Sequence, residues 1–158
     1  MGKLDSKIIL VTGGSRGIGL AIAQACAREG AQLVIASRDK KALKNAVKLI
    51  PGEVLAISAD VTRPSAVDRI FRKVREQFKR LDVLVNNAGV FTYKPFVKTT
   101  LEDWRKNIEG NLTSLFLCTR AALPLLRRSR TPHMVNILSI SSLHGYPKCS
   151  AYSASKAA

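Results

Sequence analysis

Thr12-Gly13-Gly14-Ser15-Arg16-Gly17-Ile18-Gly19 decides the fold, because it joins two segments of different hydrophobic period. Before it, Ile8 to Val11 is a short apolar run of the kind buried on both faces of a sheet. After it, Ile18, Ala21, Ile22, Ala25 and Cys26 recur at helical spacing until Gly30 stops the element. The glycines let the backbone turn tightly and approach a pyrophosphate, while the helix start offers unpaired amides and the positive end of its dipole. The spacing G-x-x-x-G-x-G differs from the G-x-G-x-x-G fingerprint. No Lys-Ser or Lys-Thr pair follows, which argues against a Walker-type triphosphate loop.

The alternation continues outward from this loop. A second strand, Gln32 to Ser37, leads into a helix over Lys40 to Leu49, which Pro51 and Gly52 close. A third strand, Val54 to Ser58, precedes a helix from Pro64 with Val67, Ile70, Phe71, Val74 and Phe78 on one stripe. The fourth strand, Leu81 to Val85, runs into Asn86-Asn87-Ala88-Gly89. Beyond a loop from Val90 to Thr100, a long helix is predicted from Leu101 to Leu126, with Trp104, Ile108, Leu112, Leu115 and Phe116 facing the core. A fifth strand, Met134 to Leu138, is followed by a polar loop and the opening of a helix near Ser150.

Strands separated by such helices predict an α/β fold, a doubly wound parallel sheet of Rossmann-like type. The expectation is one dinucleotide-binding domain over residues 1–158. The last helix has completed barely two turns at Ala158, so the domain is expected to be C-terminally incomplete, truncated after the fifth strand and the start of the following helix.

Lys and Arg number 26 against 11 Asp and Glu, a formal net charge of +15 that favours anionic partners. Many of these cations, such as Lys40, Lys41, Lys44 and Lys48, fall on expected helix exteriors, and no recognition-helix, zinc or RNA-binding motif accompanies them. Nucleic acid is therefore not an expected partner. His133 and His144 are the only histidines and form no metal-binding cluster with cysteine, so no metal site is expected. Cys26 and Cys118 sit in apolar helical patterns and read as buried thiols of a reducing compartment. The segment Met1 to Lys7 is too polar for a signal peptide, and no window approaches the roughly 20 apolar residues of a membrane span. A cytoplasmic protein without membrane partners is expected.

At the end of the second strand, Ser37 and Arg38 occupy the place where an acidic residue would select the non-phosphorylated cofactor. A guanidinium there can grip a 2'-phosphate with paired hydrogen bonds, and Arg16 can reach the same group. Asp39, one position on, reads as the cap of the next helix. NADP(H) is thus expected ahead of NAD(H).

Tyr152 and Lys156 lie four apart in a helix and so share a face. An ammonium near a phenol favours the phenolate, which suits a group that donates and accepts a proton near neutral pH. The whole set of motifs resembles the short-chain dehydrogenase/reductase family: the glycine loop, Asp60 after the third strand, Asn86-Asn87-Ala88-Gly89, Asn111, a serine after the fifth strand, and Tyr152-Ser153-Ala154-Ser155-Lys156. The resemblance covers nearly the whole chain and extends, more narrowly, to 3-oxoacyl-carrier-protein reductases.

The resemblance implies roles. Tyr152 would be the general acid that protonates a carbonyl oxygen while a nicotinamide delivers hydride to its carbon. Lys156 would act on Tyr152 and hold the nicotinamide ribose, and Asn111 would order a water in the proton relay. Gly13, Ser15, Arg16, Gly17, Ile18 and Gly19 would cradle the coenzyme, with Ser37, Arg38, Asp60 and Val61 at its adenosine end and Asn87, Ala88 and Gly89 along its length. Ser139 lies 13 positions before Tyr152 and 28 after Asn111, which suits the family's catalytic serine without a gap. Ser141 and Ser142, followed by Leu143-His144-Gly145, remain rivals that would require a three-residue deletion.

The implied function is reduction of a small-molecule carbonyl, or oxidation of a secondary alcohol, in a full-length homo-tetramer or homo-dimer. Family members add further strands and helices that close the substrate pocket, so weak or no turnover is expected of the present chain. An alternative reading is a catalytically inactive, truncated nucleotide-binding or interaction protein.

Overall fold

In the computed structural model, which describes residues 2–158, five parallel strands form one sheet in the order β3-β2-β1-β4-β5. These are β1 (Ile8–Thr12), β2 (Gln32–Ser37), β3 (Val54–Ser58), β4 (Val83–Asn86) and β5 (His133–Asn136). The helices are α1 (Gly17–Arg28), α2 (Lys40–Leu49), α3 (Pro64–Phe78), α4 (Leu101–Asn107), α5 (Ser114–Leu126) and α6 (Ser150–Ala157). The chain order reverses direction across the sheet beside β1, and a crevice opens there at the carboxyl ends of β1 and β4.

The period-2 geometry of β1 divides the core in two. Ile8 and Leu10 pack with α3 and α5 through Val67, Ile70, Val74, Leu117 and Leu125. Ile9 and Val11 pack on the other face with Ala23 of α1 and Leu43 and Ala46 of α2. Helices thus cover both faces, as the alternation of periods predicts. Asp39 caps α2, its carboxylate accepting from the Ala42 amide at 2.9 Å.

The structure differs from the sequence reading in three places. The fourth strand starts at Val83, because Leu81 and Asp82 bond to α5 and β1 from the connection: the Leu81 amide donates to the Leu125 carbonyl and the Asp82 amide to that of Ile8. The fifth strand is shifted to His133–Asn136 and stands exposed at the sheet edge. The long helix is interrupted by a wide π turn over Ile108–Thr113, and its inward stripe runs through Asn107, Asn111, Ser114, Leu117 and Cys118. Trp104 and Phe116, expected in the core, are 40% and 54% exposed. The polar half of that stripe hid it from a reading of apolar period. Cys118 is buried as expected, whereas Cys26 is only half-buried. No helix among the described residues is long and apolar enough to cross a membrane.

Candidate active site

The glycine loop, the end of β2 and the turns after β3 and β4 enclose a cleft of about 360 Å³. Gly13, Ser15, Arg16, Ile18 and Gly19 form one wall, Ser37, Arg38, Asp60 and Val61 another, and Asn87, Ala88 and Gly89 the floor. Gly17 opens α1 at a φ of +54° and faces open space, outside that lining.

Close packing of the two loops explains the glycines. A Cβ at Gly19 would lie 2.4 Å from the Asn87 amide nitrogen, and one at Gly13, which also needs a φ of +66°, would lie 2.9 Å from it. That Asn87 group is in turn fixed, donating to the carbonyls of Thr12 at 2.9 Å and Gly13 at 3.3 Å. Thr12, which opens the loop but received no role from sequence, ties the same turn: its hydroxyl accepts from the amides of Asn87 and Ala88, both at 3.1 Å, and donates to the Val85 carbonyl. Ser15 donates to the Ser37 hydroxyl at 2.8 Å, locking the loop to β2.

α1 begins with no side-chain cap and no acidic residue in its first turn. Its leading amides therefore have no side-chain partner, the condition under which a helix start receives an anion. Across the cleft, burial opposes the charge of Asp60. Hydrogen bonds from the Thr62 amide and hydroxyl, with the fields of Arg38 and Arg63, outweigh that and hold its carboxyl below the ordinary range.

Beyond Gly89, the π turn, the short 3-10 turn Ile140–Ser142 and α6 pack together. Asn111 is the junction. Its carboxamide oxygen accepts from the Val90 amide at 2.7 Å, and its nitrogen donates to the Val90 carbonyl at 3.0 Å and to Ser155 at 2.8 Å. The Ser155 hydroxyl donates to the Tyr152 carbonyl at 2.7 Å, so the π turn grips α6 at the Tyr152 turn. Lys156 donates to the Ile137 carbonyl at 2.8 Å, and burial lowers its pKa. Its Nζ stands 6.0 Å from the centre of the Tyr152 ring. A Cβ at Gly89 would come within 2.8 Å of Asn111 Oδ1 and 3.7 Å of Lys156 Nζ, which places the cleft floor directly against this group.

Ser139 precedes the 3-10 turn, its hydroxyl accepting from the Ser141 amide at 3.2 Å, while the Ser142 hydroxyl donates to the Ser139 carbonyl at 2.6 Å. Phe91 meets the Tyr152 ring edge-on at 4.8 Å and 89°. Neither Phe91 nor Ser155 was picked out from sequence. Ser155 was visible inside Tyr152-Ser153-Ala154-Ser155-Lys156, but its partner lies 44 residues away and local spacing does not announce it.

These features define a Rossmann-like α/β protein whose glycine-loop cleft adjoins a helix carrying Tyr152 and Lys156. The chain belongs to the short-chain dehydrogenase/reductase family: a family profile described as short chain dehydrogenase matches residues 7–158. It is 38% identical to a 3-oxoacyl-[acyl-carrier-protein] reductase of Synechocystis over 99% of this chain and 65% of that protein. It is 37% identical to a 3beta-hydroxysteroid dehydrogenase of Mediterraneibacter gnavus, over 99% of this chain and 58% of that one. A cyclopentanol dehydrogenase of Comamonas matches equally well, at 37% identity over 100% and 64%. The chain thus spans 58–65% of the length of these curated relatives. Among solved structures, a short chain dehydrogenase from Mycobacterium smegmatis superposes with a TM-score of 0.93 at 36% identity, covering 99% of this chain and 68% of that one.

Proposed function

We propose that residues 1–158 are one dinucleotide-binding domain of an NADP(H)-dependent oxidoreductase that reduces a small-molecule carbonyl or oxidises a secondary alcohol. The observation that carries this reading is the junction of the uncapped glycine-loop helix and the Tyr152-Lys156 helix through Gly89 and Asn111. The nicotinamide, when bound, supplies or takes up the hydride.

The residues divide the remaining work. The leading amides of α1 receive the pyrophosphate, in a loop whose shape depends on Gly13 and Gly19 packing against Asn87 and on the positive φ of Gly17. Arg38 and Arg16 grip the 2'-phosphate, and Asp60 and Val61 border the adenine. Asn87, Ala88 and Gly89 carry the coenzyme across the floor toward α6. Tyr152 holds the proton that passes to the carbonyl oxygen, and the Lys156 ammonium favours the phenolate left behind. Asn111 commits its side-chain nitrogen to Val90 and Ser155, while its oxygen accepts one bond, from Val90, and keeps a lone pair for the water implied by the family.

Hydrogen-bond accounting supports Ser139 over Ser142 as the donor to the substrate oxygen. The single proton of the Ser142 hydroxyl is used on the Ser139 carbonyl, whereas Ser139 accepts from Ser141 and keeps its own proton to donate. The substrate classes named for relatives are a 3-oxoacyl-[acyl-carrier-protein], a 3beta-hydroxysteroid and cyclopentanol. A cytoplasmic location and a homo-oligomeric assembly belong to the same reading.

The test is ketone reduction by this chain, followed as NADPH consumption, with Tyr152→Phe as the control. Slow turnover that falls at least about 10²-fold in the variant is expected, the usual scale of a general-acid contribution. NADPH binding without any Tyr152-dependent turnover would turn the reading to the inactive nucleotide-binding alternative.

A further inference from the structure

At the amino ends of β1, β4 and β5 lies a hollow of about 390 Å³, lined by Lys7, Arg80, Asp82, Arg128 and Arg130. Three separate stretches supply these side chains: the residue before β1, the connection into β4, and the connection from α5 to β5. The coenzyme cleft opens at the opposite ends of the strands, roughly 16 Å away at ~3.3 Å per residue of β1. The hollow plays no part in the chemistry proposed above.

Asp82 is the one carboxylate in the lining, and its charge is already used. It is 3% exposed; Oδ2 accepts from the Ile8 amide at 2.9 Å and from Arg80 Nε at 3.2 Å, and Oδ1 accepts from the Ser129 hydroxyl. Lys7, Arg128 and Arg130 make no ion pair with a carboxylate of the described residues. Two of them are nevertheless held in place. Lys7 Nζ donates to the Thr131 hydroxyl at 2.6 Å, and Arg128 Nη1 donates to the Lys79 carbonyl at 3.1 Å. The paired Arg80 is steadied in the same way, Nη2 donating to the Ser6 carbonyl at 3.0 Å.

Neutral oxygens thus fix these cations without cancelling their charge. An ammonium carries three donors and a guanidinium five, so most of the donors around the hollow remain unused. Like charges gathered over one concavity repel each other, and an anion seated among them removes that cost and satisfies the donors together.

We propose that this hollow is a second anion site, taking a phosphate or diphosphate group on Lys7, Arg128 and Arg130. Its form suits a compact polyanion, because a nucleic acid is gripped along a continuous track of phosphates and these cations gather over a single hollow. Arginine supplies the planar fork that matches paired phosphate oxygens. The chemistry is shared by a free anion and by the phosphoryl end of a nucleotide.

The experiment is calorimetric titration of the chain with inorganic pyrophosphate at fixed ionic strength, repeated in two sets of variants. Arg16→Asp with Arg38→Ala gives α1 the acidic cap it lacks and so closes the coenzyme cleft to a competing anion. In that background Arg128→Ala with Arg130→Ala strips the hollow, and Arg130→Glu reverses one charge at a side chain that makes no hydrogen bond among the described residues, with circular dichroism checking the fold. Pyrophosphate binding should survive in the first variant and weaken at least about tenfold when either change to the hollow is added to it, while NADPH affinity is unchanged by Arg130→Glu alone. Competition by ADP in the first variant would assign the site to a nucleotide's phosphoryl groups, and lack of competition to the free anion. Pyrophosphate affinity unchanged by Arg130→Glu, or matched equally by chloride, overturns the proposal.

Discussion

β1 and β5 belong to one parallel sheet, yet β1 is buried along its whole length and β5 is exposed at every residue. The difference separates two kinds of construction. The coenzyme half around β1 carries apolar side chains into both cores and holds its loops by hydrogen bonds among Thr12, Asn87 and Gly13. The half around β5 and α6, which carries the proposed catalytic residues, hangs on polar junctions, chiefly Asn111 with Ser155 and Lys156 with the Ile137 carbonyl. Apolar packing is thus concentrated on one side of the crevice and the proposed catalytic residues on the other.

The sharpest way to break that contrast is a matched pair of truncations. Leu10→Ala, at a side chain with 0% exposure, should cost about 2–5 kcal/mol, whereas Val135→Ala, 44% exposed, should cost under about 1 kcal/mol. Urea denaturation midpoints of the two variants measure this; equal losses would mean that β5 contributes to the core as fully as β1.

Asp82 joins the halves from below, since it anchors the Ile8 amide of β1 and the Ser129 hydroxyl after α5. Burial opposes its ionisation, but the hydrogen bonds from Ser129 and Ile8 and the Arg80 charge outweigh that and hold its pKa below the ordinary 3.8. The folded value is the lower one, so the stabilisation is complete above that ordinary value and is lost as pH falls through the folded one. Asp82→Asn should cost about 2 kcal/mol at neutral pH and flatten the acid limb of the stability profile. An acid limb identical to that of the unmodified chain would refute this anchor.

A smaller effect is expected in the half that packs around α6. Thr100 and Asp103 form a capping box at α4, and Lys94 donates to Asp103 Oδ2 at 2.6 Å. Those contacts lower the Asp103 pKa to about 2, led by the Lys94 hydrogen bond, so they persist in acid until pH falls through that value. Thr100→Ala should cost about 1 kcal/mol, read from thermal denaturation, without changing coenzyme affinity. Weakened NADPH binding in that variant would show that the two halves are less separable than their packing implies.

The same contrast governs what the sequence made legible. Around β1 the strand, the glycine turn and the helix are adjacent in the chain, so apolar period and turn chemistry suffice to place them. Asp39 as a helix cap is equally local. The orientation of the long helix was not legible, because its buried stripe near the site consists of Asn107, Asn111 and Ser114, whose inward position depends on partners such as Val90, Thr92 and Ser155. The π turn adds a rotation that no residue type at Ile108–Thr113 announces. The basic hollow was invisible for the same reason: Lys7, Arg80 and Arg128 meet only after the sheet has formed.

The central claim is that the glycine loop and Arg38 form a coenzyme half-site with a preference for a 2'-phosphate. Titration of the chain with NADPH and NADH, followed by fluorescence or calorimetry and repeated in Arg38→Ala, tests it most directly. NADPH should bind at least about tenfold more tightly than NADH, with the preference lost in a variant whose circular dichroism is unchanged. Equal affinities in the unmodified chain, or a preference that survives in Arg38→Ala, would contradict it.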